Sequence, residues 1–123
     1  MSKNVLVVED NDLLMMMYRS ALGELGATLL HAGSGEEALD LAAGEHPDLV
    51  IMDIMLPGKS GVQAAREIRM LPGLEEVPIV AVTVQTSPQT IEGFEEAGFN
   101  GYLTKPVNLD EFMAAVRSYI GVP

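Results

Sequence analysis

The chain has 123 residues, 48% hydrophobic and 20% charged, which is one ordinary globular domain's worth of core and surface. With no cysteine, disulfides, thiolate nucleophiles and cysteine-ligated metals are excluded, and no apolar run approaches the ~20 residues of a membrane span. Seven basic residues against 18 acidic ones leave a net charge of -11, which repels nucleic acid and favours cations and basic protein faces.

The first apolar run, Val5–Val8, reads as a buried strand and stops abruptly in Glu9, Asp10 and Asp12. The segment that follows has helical spacing, with Leu14, Tyr18, Ala21, Leu22 and Leu25 on one core-facing stripe. Thr28–His31 is a shorter, more polar strand suited to a sheet edge. "SGEEALDLAAG" begins a helix at Ser34, with Glu37 three residues on in a capping-box pattern and Gly44 as its stop. Leu49–Asp53, "LVIMD", is apolar until its last residue, as central parallel strands covered on both faces are. Ser60 to Leu71 is helix-sized and closed by Pro72-Gly73. Ile79–Thr83, "IVAVT", is a second central-type strand. "TSPQTIEGFEEAG" offers Ser87 as N-cap, Pro88 at the first helical position and Gly98 just past the end. Gly101–Leu103 is a weak edge strand. "NLDEFMAAVRSYI" is a helix capped by Asn108, with Glu111 three residues later and Phe112, Val116, Tyr119 and Ile120 at core spacing. Strands alternating with helices predict an α/β fold of five βα units around a parallel sheet. Five units fill residues 1–123, so a single domain is expected. The run after Met1-Ser2-Lys3 is too short for a signal peptide, which makes the cytoplasm the expected location.

Ligands of open parallel sheets bind outside the carboxyl ends of the strands. The residues that fall there are Glu9 and Asp10, then Asp53, then Thr83, then Lys105, each immediately after an apolar run. A lone Asp after a strand is usually a helix cap and a lone Lys before Pro is usually surface. Four strands delivering three carboxylates, a hydroxyl and an ammonium to one rim is a different matter. Two carboxylates ~4 Å apart repel by about 4 kcal/mol at an effective dielectric near 20, so a proton or a cation must sit among them. Oxygen ligands without His or Cys suit Mg²⁺ (or Mn²⁺) rather than Zn²⁺. Thr83 and Lys105 then offer a hydroxyl and a positive charge to phosphoryl oxygens, with Asp53 between them as nucleophile.

"VVEDN", "DLVIMDIMLPGKSG", "IVAVT" and "GYLTKP" together resemble the receiver domain of two-component response regulators, over essentially the whole chain. The resemblance implies a flavodoxin-like (βα)5 sheet in the order 2-1-3-4-5. It makes Asp53 the acceptor of a phosphoryl group from a histidine of a kinase or phosphotransfer protein. Asp10, Asp53 and the Met55 carbonyl would bind Mg²⁺ directly and Glu9 through water. Thr83 and Lys105 would contact the phosphoryl group, Lys105-Pro106 would be a cis peptide, and Gly58 and Gly61 would shape the loop after Asp53. Tyr102 matches the switch aromatic, which would follow Thr83 inward and alter the face formed by the fourth helix, fifth strand and fifth helix. Such a protein is a signalling phosphoacceptor rather than an enzyme, although it assists its own phosphorylation and dephosphorylation. Val84 departs from the small residue usual after the Thr, and Met55 and Gln85 occupy positions that tune the lifetime of the acyl phosphate.

Off the core stripe of the first helix stand Leu13, Met16 and Met17. Met17 reads either as supporting core, with scattered exposure beside it, or as part of a docking patch. In the family this helix and the loop after Lys105 meet the phosphodonor, which makes Leu13, Leu14, Met17 and Val107 the candidate docking residues. His31 and His46 read as surface or loop histidines, and the acids of the second helix as a solvated face.

Three other functions meet the residues differently. A flavin carrier needs a Gly/Ser/Thr-rich phosphate cradle where this chain has Glu9, Asp10 and Asp12. An aspartyl phosphohydrolase commonly has a second Asp where this chain has Met55. The alternative that survives is a receiver-like interaction module that works without phosphorylation, against which the intact set Glu9, Asp10, Asp53, Thr83 and Lys105 stands. The expectation is a stand-alone receiver, monomeric or weakly dimeric, with no output domain, no nucleic acid and no membrane among its partners, acting through a downstream protein target.

Overall fold

The computed structural model describes residues 3–121, so the reading of Met1-Ser2 lies outside the described residues. Five strands, β1 (Asn4–Val8), β2 (Thr28–Ala32), β3 (Leu49–Asp53), β4 (Ile79–Thr83) and β5 (Gly101–Thr104), form one parallel sheet in the order β2-β1-β3-β4-β5. Five helices alternate with them: α1 (Asp12–Glu24), α2 (Gly35–Glu45), α3 (Gly61–Arg69), α4 (Pro88–Ala97) and α5 (Leu109–Ile120).

The period-2 alternation of each strand sorts its side chains onto two cores. Val5, Val7, Leu49, Ile51, Val80 and Val82 pack against Tyr18 and Leu22 of α1 and Phe112 and Val116 of α5. Leu6, Val8, Val50, Met52, Ile79 and Ala81 pack on the other side against α2, α3 and α4 through Ala38, Ala64, Ile68 and Phe94. β1, β3 and β4 are buried on both faces, which is why their sequences are continuously apolar, whereas β2 and β5 are edges with exposed residues.

The expected caps form: the side chains of Ser34, Ser87 and Asn108 accept from the amides of Glu37, Thr90 and Glu111. Asn11 and Ser60 do the same for α1 and α3. β1, β2 and β5 each run one residue longer than the sequence reading, and two helix ends differ from it. α2 passes through Gly44 and ends at His46, whose φ of 48° makes it a left-handed cap. Pro47 follows and disfavours a further helical residue, and His tolerates the left-handed region better than most residues do. α3 stops at Arg69, with Met70 as its cap, ahead of Pro72-Gly73.

The rotation of α1 also departs from the expected stripe. Met15, not Leu14, is buried with Tyr18, Ala21 and Leu22, while Leu14 and Leu25 are half-buried. Tyr18 stacks on Phe112 of α5 at 4.7 Å between ring centroids, joining α1 to α5 on this face of the sheet.

Candidate functional site

Each site residue is the last residue of its strand or lies within two residues past it, where the chain leaves the sheet. Glu9 donates its amide to the Ala32 carbonyl of β2 at 3.0 Å, and the Lys105 amide bonds the Thr83 carbonyl at 2.8 Å, placing Lys105 beside the end of β4. Asp53 closes β3 opposite Val82.

Carboxylate oxygens of Glu9, Asp10 and Asp53 lie within 4.8 Å of one another. Asp53 is only 2% exposed, and Glu9 is equally buried, whereas Asp10 faces solvent. Asp53 Oδ2 accepts from Lys105 Nζ at 2.9 Å and Oδ1 from the Met55 amide at 3.0 Å. Glu9 Oε2 accepts from the Asn11 amide at 3.1 Å, but Oε1 is buried with no hydrogen-bond partner. Asp12 is absent from the cluster. As the first, exposed residue of α1 it complements the helix dipole.

One lysine cannot neutralise three carboxylates. Burial, then the negative charge of Asp53, pushes Glu9 up to about 7, against smaller opposing effects of the Asn11 amide and Lys105. Burial, then the charges of Glu9 and Asp53, also raises the Tyr18 phenol, whose hydroxyl is buried without a partner. An all-oxygen donor set with an unpartnered carboxylate oxygen fits a hard divalent cation, so the cluster can hold a metal ion.

The sign of the Glu9 shift gives a testable consequence for the metal-free protein. Its folded pKa lies above the ordinary value of 4.5. No penalty therefore exists below about 4.5, and the full penalty applies above about 7. Glu9→Gln should gain ~1–3 kcal/mol over the wild type at pH 8 in the presence of a chelator, and the gain should vanish toward pH 4. Denaturant titration at both pH values checks this, and a pH-independent difference would refute it.

Thr83 is buried, and its hydroxyl is engaged within its own turn. Oγ1 accepts from the Gln85 amide at 3.0 Å and donates to the Gln85 carbonyl at 3.2 Å. Turning toward a group on Asp53 forfeits one ordinary hydrogen bond, a cost of ~1 kcal/mol. The Lys105-Pro106 peptide is cis. Tyr102 is 44% exposed and lines a cavity of about 470 Å³ with Ile91, Phe94 and Phe99. Met55 and Val84, 74% and 65% exposed, line with Thr83 and Gln85 a smaller cavity of about 230 Å³.

The loop after β3 depends on glycine. Gly58 has a φ of 73°, and a Cβ on Gly61 would lie 2.3 Å from the Asp53 carbonyl oxygen. His31, expected at the surface or in a loop, is an exposed residue of β2 whose Nε2 lies 3.0 Å from the Glu9 carbonyl oxygen. That contact crosses from β2 to the site and leaves no trace in sequence spacing.

Residues 5–117 match the response regulator receiver domain family. This chain belongs to that family. Among characterised receivers it is 36% identical to the polar-differentiation response regulator DivK of Brucella ovis, over 98% of both chains. The same protein of Brucella anthropi is 35% identical over the same span. Among solved structures, the chemotaxis protein CheY4 of Vibrio cholerae superposes with a TM-score of 0.92 at 27% identity, over 98% of this chain and 100% of that one. The receiver domain of a Pseudomonas aeruginosa sensor histidine kinase, solved with a magnesium ion coordinated in its active-site cleft, gives a TM-score of 0.88 at 31% identity, over 98% of this chain and 99% of that one. The receiver is therefore a phosphoacceptor protein of two-component signalling, and among its described residues no helix is long and apolar enough to cross a membrane.

Proposed function

We propose that Asp53 is the phosphoacceptor and that the receiver works as a stand-alone, Mg²⁺-dependent switch or relay. The observation that carries this is the setting of Asp53: buried at the end of β3, 2.9 Å from Lys105 Nζ, and sharing its rim with two further carboxylates. A carboxylate oxygen of Asp53 attacks phosphorus, the bond to the donor imidazole nitrogen breaks, and an acyl phosphate forms as the imidazole leaves. Lys105 offsets the charge on the transferring group, and the Met55 amide holds the second oxygen of Asp53. Asp10, Asp53 and the Met55 carbonyl would hold Mg²⁺, with Glu9 acting through water. The bound ion supplies positive charge to the phosphoryl oxygens. Mn²⁺ has the same preference for oxygen.

New acceptor oxygens on Asp53 draw the Thr83 hydroxyl from the Gln85 carbonyl. Tyr102 then moves toward the space Thr83 leaves, and the face of α4, β5 and α5 changes shape. That face meets a downstream protein target, and the phosphodonor is a histidine kinase or histidine phosphotransfer protein. The cytoplasm, and a monomeric or weakly dimeric state, go with this reading as part of the proposal.

A small acyl-phosphate donor with and without Mg²⁺ tests the reading, with intact-protein mass as the readout. Mg²⁺-dependent addition of one phosphoryl group is expected. No addition would move the receiver to the phosphorylation-independent class.

Donor docking is assigned to Leu13, Leu14, Met17 and Val107. Leu13 is 77% exposed, and the other three are half-buried against the α1–α5 core, so they support the patch from beneath. Leu13→Ala should slow transfer from a protein donor about tenfold and leave the rate with a small-molecule donor unchanged. Met17→Ala should act in the same direction with some loss of stability. Equal slowing with both donors would remove the docking role.

A further inference from the structure

α4 is held very differently at its two ends. At its C-terminal end the guanidinium of Arg69, from the last turn of α3, uses all five of its N–H groups. Nε and Nη2 donate to the Gly98 carbonyl at 3.1 and 2.6 Å, and Nη2 also donates to Asn100 Oδ1 at 2.7 Å. Nη1 donates to the carbonyls of Leu74, at 3.3 Å, and Val77. Asn100 Oδ1 accepts in addition from the Ile79 amide at 2.9 Å, and the Asn100 amide bonds the Ile79 carbonyl, tying the same knot to the start of β4. Gly98, with a φ of 99°, leaves the Arg69 side chain just enough room, since a Cβ there would meet Nε at 3.1 Å. Phe94, Ala97 and Phe99 are buried around this end, and the two rings meet edge to face at 5.4 Å.

The N-terminal half has none of this. Val84 through Gln89 are exposed, and beneath Thr90 lies the cavity of about 230 Å³ lined by Ile54, Val62 and Thr83. Space to move and the hydroxyl that senses Asp53 are at the same end of the helix.

We propose that Arg69 is a pivot: it pins the C-terminal end of α4, so that rearrangement at Thr83 swings the N-terminal half of the helix over the cavity instead of sliding the whole helix. The direction of the swing follows from the geometry, because the pinned end joins β5 through Phe99 and Asn100 while the free end joins β4 through Val84 to Ser87. The output face is then altered near Ile91 and Tyr102, and the α4–β5 junction stays fixed. This pivot rests on the phosphoacceptor reading for its physiological trigger, but its mechanics do not.

The test uses amide chemical shifts of the full chain under two independent perturbations. Val62→Phe intrudes into the cavity and pushes on α4 without phosphorylation. Beryllofluoride with Mg²⁺ mimics the phosphoryl group. In the wild-type background each should perturb residues 84–91 about threefold more than residues 97–101. In an Arg69→Gln background the perturbation should spread to residues 97–101, with loading by a small-molecule donor unchanged. Equal perturbation of both ends in the presence of Arg69 would overturn the pivot, as would confinement to the N-terminal half in Arg69→Gln. If Arg69→Gln does not fold, the Val62→Phe comparison in the Arg69 background decides. A null result with beryllofluoride alone would count against the phosphoacceptor reading, while Val62→Phe still decides the pivot.

Discussion

Asp53→Asn should abolish phosphoryl loading, a loss of more than ~10³-fold, while the protein stays folded. An amide is not a nucleophile toward phosphorus, and the sheet supplies no substitute. Glu9, the other buried carboxylate of the cluster, has one oxygen taken up by the Asn11 amide, and Lys105 Nζ contacts Asp53. Asp10 is exposed and lacks the amide and ammonium that hold Asp53 in place. The fold should tolerate the change. The Asn carbonyl oxygen can still accept from the Met55 amide, and removing one of three crowded charges relieves repulsion on Glu9 while costing the Lys105 ion pair. These effects oppose one another, so stability without metal should shift by no more than ~1 kcal/mol. Mass measurement after incubation with an acyl-phosphate donor, beside a denaturation curve, separates the two claims. Loading of Asp53→Asn at the wild-type rate would place the acceptor elsewhere.

The site was legible in the sequence because a parallel sheet presents strand ends to one rim. A polar residue that abruptly ends an apolar run is therefore informative. Glu9, Asp10, Asp53 and Lys105 announced themselves in this way and meet in the structure. What stayed hidden depends on partners distant in sequence. Five consecutive apolar residues from Leu13 to Met17 satisfy more than one helical stripe, and only the packing of α1 on the sheet shows that Met15 is the one buried with Tyr18. Arg69 gives no sequence signal of its role, because four of its five bonds go to backbone carbonyls, which carry no side-chain signature. The approach of His31 to the Glu9 carbonyl was hidden for the same reason. Gly44 and His46 show the limit of local rules. Gly is the commoner helix stop, but the proline after His46 places the break two residues later.

Gly61→Ala should damage both stability and loading, the second more than the first. Its Cβ would lie 2.3 Å from the Asp53 carbonyl oxygen and 2.9 Å from Ile54 Cα. Both are backbone atoms, so no flexible side chain can yield. Either the start of α3 lifts off the sheet or the Asp53–Ile54 peptide tilts. The Gly61 amide bonds the Ile54 carbonyl at 3.2 Å, so the helix start and the strand end resist as one unit. Overpacking of this kind costs roughly 1–3 kcal/mol. Loading is more sensitive, because the displaced peptide belongs to Asp53, the proposed acceptor, and a shift of ~1 Å in a reacting group can cost about 10²-fold in rate. Gly26→Ala is the matched control. Gly26 also has a positive φ, 71°, but nothing lies within 4 Å of its Cβ position and it is remote from Asp53 in sequence and in the sheet. It should lose ~1 kcal/mol of stability through backbone strain and load at the wild-type rate. Equal loading by the two variants would mean that the Asp53 peptide moves without consequence. A loading defect confined to Gly61→Ala would show that the tight approach of α3 to the end of β3 is what sets Asp53 in place.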